Sequence, residues 1–223
     1  MFDQNTRSKV KLLLSPTLSA KENMEIDEAL FASSDYLIPT FRLYSWENSC
    51  TIGMSQKFDN IKDIQEYKNS YAKRITGGGV LFHGTDISYS LIIPVSYMKS
   101  LSVKESYEKI CDFLLHFYKE LGLDAKYAKD IEDIILSKSQ YCQVGFEPYD
   151  IVIDGKKIGG NAQRRDKRVI FQHGSIPLKS VTNKKEIGYS LEDFNINLSI
   201  EQAEKKILES FEKIFNIEFE ELK

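Results

Sequence analysis

Residues 149–163 read Tyr-Asp-Ile-Val-Ile-Asp-Gly-Lys-Lys-Ile-Gly-Gly-Asn-Ala-Gln. Asp154-Gly155 between two apolar runs is a two-residue hairpin signal, because both residues tolerate the positive φ of a type I′ turn. The run therefore predicts two antiparallel strands, Tyr149 to Ile153 and Lys157 to Gln163. Strand alternation then sets Lys157 and Gly159 on one face and Ile158 and Gly160 on the other. Further β-branched and aromatic runs bounded by turn residues lie at Thr40 to Trp46, Gly79 to Phe82, Ile87 to Ile93 and Val169 to Ser175. A second hairpin is expected around Asp166-Lys167. Three helices open on the same device, a Ser cap answered by Glu or Gln three residues on: Ser19 with Glu22, Ser102 with Glu105, and Ser199 with Gln202. From Val103 to Leu121 the apolar residues follow a 3.6-residue period, and Gly122 is placed to end that helix. Ile200 to Phe215 has one apolar face, with a short strand from Ile217 to Leu222 after it. Strands in antiparallel pairs with few, segregated helices imply an α+β domain on a mixed, mostly antiparallel sheet, in place of βαβ alternation.

The chain has 223 residues, 42% hydrophobic and 28% charged, with 12 Gly and 5 Pro, a composition that excludes a disordered or fibrous protein. It is expected to be a single catalytic domain over residues 1–223. No run approaches the roughly 18 apolar residues of a membrane span, and Met1 to Gln4 do not begin a signal peptide. A cytoplasmic protein is expected, without a membrane partner. Thirty Lys and Arg against 33 Asp and Glu, a net charge of −3, provide no global field for nucleic acid. Charge is uneven locally. Lys156 to Arg168 holds six basic residues and one acid, and Glu201 to Glu221 seven acids and three bases. These are either two solvated faces or a basic patch that meets an acidic partner or a phosphate. Cys50, Cys111 and Cys142 are odd in number and lack metal spacing, so free thiols are expected, with no disulfide framework and no zinc cage.

Two segments carry possible chemistry. Lys73-Arg74-Ile75-Thr76-Gly77-Gly78-Gly79-Val80-Leu81-Phe82-His83 has three successive glycines, which let the backbone approach a ligand and form an anion-binding nest beside Arg74, or else make a tight turn between strands. It is neither a Walker loop nor a dinucleotide fingerprint. The second runs from Asp154 to Gln163, followed by Phe171-Gln172-His173-Gly174-Ser175-Ile176. There Lys157 either faces a glycine-floored cleft or faces solvent. Cys111 falls on the apolar stripe of its helix. His83 and His173 flank motif strands and His116 lies within a helix; none is assigned a general-base role.

These blocks, with Asn23 to Leu30, Arg42 to Trp46 and Ile52 to Gln56 before them, resemble the lipoyl and biotin protein ligase superfamily over nearly the whole chain. The resemblance implies a catalytic domain in which the glycine block and the lysine strand line a tunnel for an eight-carbon acyl chain. Within it, Cys142 stands seven residues before Tyr149, as in the cysteine octanoyltransferase branch. Asp150 departs from the Glu of that branch and matches the Asp of the ligases, and ligases also often keep a triple glycine. The resemblance implies Cys142 and Lys157 as catalytic residues. It implies substrate contacts from Arg74, Thr76, Gly77, Gly78, Gly79, His83, Gly159, Gly160, Asn161 and Ala162, with no metal site.

The implied activity is octanoyl transfer from octanoyl-acyl carrier protein to a lysine of a lipoyl domain or the glycine-cleavage H protein, with no cofactor. Its chemistry is sound, since a thiolate exchanges with a thioester without further activation, and a nearby ammonium would lower the thiol pKa and stabilise the oxyanion. The alternative is an ATP-dependent lipoate-protein ligase, in which Lys157, Asp150 and the Arg74 to Gly79 loop hold the adenylate and Mg²⁺. A non-catalytic lipoyl-domain-binding protein is the third reading.

Overall fold

The structure, a computed structural model, describes residues 7–33, 38–137, 145–180 and 188–222. Its first elements are strand β1 (Ser8–Leu18), helix α1 (Ala20–Ala32), and strands β2 (Thr40–Trp46), β3 (Ser49–Ile52), β4 (Tyr71–Lys73), β5 (Leu81–His83) and β6 (Asp86–Pro94). Helix α2 (Val103–Glu120) follows, then strands β7 (Ala125–Tyr127), β8 (Ile151–Ile153), β9 (Lys156–Lys157), β10 (Gly160–Arg165) and β11 (Val169–Pro177), helix α3 (Ile200–Phe215) and strand β12 (Ile217–Glu221). All three helices begin on the expected reciprocal caps, at Ser19, Ser102 and Ser199. Helix α2 ends at Gly122, whose φ of +80° is the left-handed turn that glycine makes without cost.

Six strands form the main sheet in the order β10-β11-β6-β2-β1-β12. The pairs from β10 to β2 are antiparallel, whereas β2-β1 and β1-β12 are parallel. The expectation of antiparallel pairing without βαβ alternation is thus corrected: β1-α1-β2 is a parallel crossover unit, and β1-β12 and β3-β4 are parallel pairs as well. Strand β1 escapes the pattern search because its register shifts between Leu14 and Thr17, around Pro16. Strand β12 pairs only with Ser8 to Leu12, so β1 has an open edge at Pro16, where the missing N–H is tolerated.

The sheet buries different chemistry on its two faces. Helices α2 and α3 cover Phe41, Tyr89 and their neighbours, and the rings of Phe41 and Phe113 meet edge to face at 5.7 Å. On the opposite face Arg42, Ser88, Ser90 and His173 of the sheet meet Asn23 and Asp27 of α1, all buried. A second sheet, β4-β3-β5, carries the glycine block, and a third, β7-β8-β9, contains the Asp154-Gly155 hairpin with both residues at positive φ. The expected continuous strand from Lys157 to Gln163 is broken. At Gly159 (φ +68°) the chain leaves the third sheet for the main one, and a Cβ there would come 2.3 Å from the Ser175 carbonyl oxygen. Among the described residues no helix is long and apolar enough to cross a membrane.

Candidate active site

Between the polar face of the main sheet, α1 and the second sheet lies a narrow cavity of about 20 Å³. Met24, Tyr44, Trp46 and Leu81 give it apolar walls, and Arg74, His83, Asn161 and His173 bring polar groups. Apolar walls with a few convergent polar groups are the chemistry of a small-molecule site, although the space as it stands is far smaller than a ligand pocket.

Two relays support its polar side. His173 stands between Asp27 (Nδ1 to Oδ2, 3.4 Å) and Thr76 (Nε2 to Oγ1, 2.7 Å). His83 stands between Asp86 (Nδ1 to Oδ2, 2.8 Å) and Thr51 (Nε2 to Oγ1, 2.8 Å), and its ring stacks on Trp46 with centroids 3.8 Å apart. Asp27 also accepts hydrogen bonds from Arg42, Tyr44 and Ser90. Burial alone would raise the Asp27 carboxyl, but the His173 hydrogen bond and the Arg42 charge outweigh it and hold the group below its ordinary range. Burial pushes the His173 imidazole down, against the pull of Asp27, so the ring is neutral beside an ionised carboxylate.

A pH dependence follows from this shift. Folded His173 holds its proton less tightly than the unfolded chain, which titrates near pH 6.5. Its contribution to stability is therefore complete above that pH and is lost as the pH falls through it, by up to about 1.4 kcal/mol per pH unit. His116, also lowered by burial, adds in the same direction. Urea unfolding from pH 7.5 to 5 is expected to show the decline, with a shallower slope for His173→Gln. Equal slopes in parent and variant would refute the assignment.

Arg74 is spent on its own loop. Its guanidinium donates to Thr51 Oγ1 at 2.8 Å and to the Gly77 and Gly79 carbonyls, so the charge faces loop carbonyls. Gly77 and Gly78 are exposed, and Gly79 is buried. Gly53 packs against the same loop so closely that a Cβ would lie 2.1 Å from the Gly78 oxygen. Of the substrate residues expected from sequence, the cavity is lined by Arg74, His83, Gly160, Asn161 and Ala162; Thr76, Gly77, Gly78, Gly79 and Gly159 are not among its lining residues.

Lys157 is buried and also off that lining, three residues before Gly160. Its Nζ donates to Asp150 Oδ2 at 2.6 Å and to the Gly145 carbonyl oxygen at 3.2 Å. Lys156 turns the other way, over the rings of Tyr189 and Phe194. Cys142 lies outside the described residues, as does most of the irregular stretch from Lys138 to Pro148. Cys50 and Cys111 are buried free thiols whose pKa burial pushes up to about 12, which makes them poor nucleophiles. In the basic patch, Arg168 pairs with Asp166, and Arg164 covers the Phe31 ring and donates to the Ile75 carbonyl.

Thr51 and Asp86 support the site from outside the motif blocks, and Asn23, Asp27 and Trp46 lie inside blocks to which the sequence assigned no site role. A signal existed for two of them: Asn23 and Asp27 occupy the buried stripe of α1 with Ala20 and Met24, and polar residues at core positions of a helix need buried partners.

Residues 19–207 match the family model described as lipoyl protein ligase A/B catalytic domain. An octanoyltransferase LipM of Halalkalibacterium halodurans is 31% identical over 89% of this chain and 84% of its own length. That of Bacillus cereus is 37% identical over 70% of this chain, and the match spans 61% of the Bacillus protein, less than two thirds of its length. Among solved structures, a lipoate-protein ligase A bound with ATP superposes with a TM-score of 0.75 at 22% identity, covering 97% of this chain and 89% of that one. A bipartite lipoate protein ligase from Thermoplasma acidophilum gives 0.72 at 21%, covering 97% and 87%. These two show the same fold. With residues 19–207 inside the family model, the chain belongs to the lipoyl protein ligase A/B catalytic domain family.

Proposed function

We propose that the protein moves an octanoyl group from acyl carrier protein to a lysine of a lipoyl domain or the glycine-cleavage H protein, through a thioester on Cys142. The observation that carries this reading is the identity to octanoyltransferases along most of the chain. In the first step the Cys142 thiolate attacks the carrier thioester; a C–S bond forms to the enzyme, and the carrier leaves as a thiol after taking a proton. In the second, the acceptor amine attacks the enzyme thioester, the C–N bond forms, and Cys142 recovers the proton that the amine sheds. No nucleotide is needed, because the thioester is already activated. Lys157 stabilises the oxyanion of both steps. The ligase reading would direct Asp150 and Lys157, which pair with each other, to an adenylate and its Mg²⁺.

The test is intact-mass spectrometry after incubation with octanoyl carrier protein and no nucleotide. A hydroxylamine-sensitive octanoyl adduct is expected, and a requirement for ATP would favour the ligase. The two adjacent lysines supply a second measurement. Lys157→Ala is expected to lower transfer by about 10²- to 10³-fold, the usual cost of one oxyanion donor. Lys156→Ala, on the opposite side of the strand, should cost no more than about threefold. Equal losses would mean that bulk positive charge matters and that no directed donor is involved.

A further inference from the structure

An ammonium has three N–H donors, and in Lys157 two of them are assigned by the fold. One meets Asp150 Oδ2 at 2.6 Å and the other the Gly145 carbonyl at 3.2 Å. Neither acceptor is a mobile side chain end. Asp150 Oδ2 also accepts the Glu147 N–H at 2.6 Å, and the Asp150 main chain is held by Glu147 and by Ala128. Gly145 is itself at φ +77°, packed so that a Cβ would lie 2.8 Å from the Ser137 carbonyl oxygen, and the Phe146 carbonyl accepts the Ser137 N–H at 2.9 Å. Tetrahedral geometry then fixes the direction of the third N–H.

A merely structural pair is the competing account, and it explains less. A buried ion pair contributes little net stability compared with apolar residues of the same volume, and a buried donor left without a partner is a cost. Lys157 carries the first penalty, and the fold engages two of its three N–H groups. Its Nζ has no third partner among the described residues, and its side chain is 7% exposed. Burial raises the Asp150 carboxyl above its ordinary range, and the Lys157 charge only partly offsets that. Such expense, with one donor kept in reserve, is what a preorganised site looks like.

Resting on the acyl-transfer reading above, we propose that Asp150 is a positioning residue. Together with the Gly145 carbonyl it occupies two N–H groups of Lys157, so that a single donor of fixed direction remains for the carbonyl oxygen of the acyl group. Asp150 acts through Lys157 and touches no reacting atom.

The experiment measures octanoyl transfer from carrier protein to a lipoyl domain by the full chain and its variants. Asp150→Asn keeps the size and the Glu147 acceptor but loses the charge. It is expected to lower kcat about 30-fold, and to leave KM for the octanoyl carrier within about twofold, as for an interaction realised in the transition state. Asp150→Glu should restore kcat to within about fivefold of the parent. In a Lys157→Arg background, Asp150→Asn should cost less than about threefold more, because the two residues act as one unit. Thermal unfolding of each variant shows whether it is folded, and the Asp150→Asn, Lys157→Met pair, which removes both charges, should fold but stay inactive. A loss expressed in KM, a loss that Asp150→Glu does not recover, or full additivity with Lys157→Arg would overturn the proposal. A parent that transfers nothing without ATP overturns the acyl-transfer reading instead. In that case Asp150→Asn raising the KM for ATP, with kcat unchanged, overturns the positioning role as well.

Discussion

Cys142→Ser is expected to abolish transfer from octanoyl carrier protein, by at least about 10³-fold, and to leave no hydroxylamine-sensitive adduct in the mass spectrum. The reason is the difference between a thiolate and an alcohol. A serine hydroxyl has no anionic form near neutral pH, and no histidine base is assigned to it. The other two cysteines are controls that the structure has qualified. Cys50 and Cys111 are buried, with thiols pushed up to about 12, so Cys50→Ala and Cys111→Ala should keep the adduct and most of the rate. Their cost should appear as stability, of about 1 to 2 kcal/mol for the lost volume. Full activity of Cys142→Ser, or an adduct that moves to Cys111, would remove the thioester from the mechanism. Persistence of the activity together with a need for ATP would leave the ligase.

Asp27→Ala is expected to be the most destabilising single change on the polar face, at about 3 to 5 kcal/mol. Arg42 is fully buried, and its charge is balanced there by Asp27 at 2.8 Å; Asn23 and Ser15 take three more of its N–H groups as neutral acceptors. Removing the carboxylate leaves a buried guanidinium without a counter-charge and frees the Tyr44 and Ser90 hydroxyls and His173 from their common partner. For a chain of this size the loss corresponds to a fall in Tm of roughly 6 to 20 °C. Asp27→Leu combined with Arg42→Met should recover much of it, since the paired removal leaves no lone charge. Differential scanning calorimetry of the three proteins decides the matter. A shift below about 2 °C for Asp27→Ala would show that water or a rearranged partner compensates Arg42. Because Asp27 also orients His173 at the cavity wall, the variant should bind acyl ligands poorly even below its melting temperature.

Local signals sufficed for much of the framework. The three reciprocal caps need only residues three apart on one chain, and all three are made. The hairpin at Asp154-Gly155 depends on two residues that accept positive φ, and both adopt it. The periodicity of α2 and the glycine that ends it are equally local. These features are decided by backbone sterics and by hydrogen bonds closed within one turn, so a linear reading recovers them. The motif blocks, taken in order, also led to the right family.

Long-range assembly decided the rest. Strand β1 became a strand because β2 and β12 supply its partners, which outweigh Pro16 and a broken apolar pattern. The expected strand through Lys157 to Gln163 was divided at Gly159 by the approach of Ser175, a residue of β11. Asp27 and Arg42 are fifteen residues apart in the chain and became partners through the β1-α1-β2 crossover. The pairing of Asp150 with Lys157 was within reach of the hairpin register, which sets Val152 opposite Lys157 and leaves Asp150 as a diagonal neighbour on the same face. What no register could supply is the burial that turns that contact from a solvated surface pair into a charge held in one direction. Burial is a property of everything packed around a side chain, and it is written into no single stretch of residues.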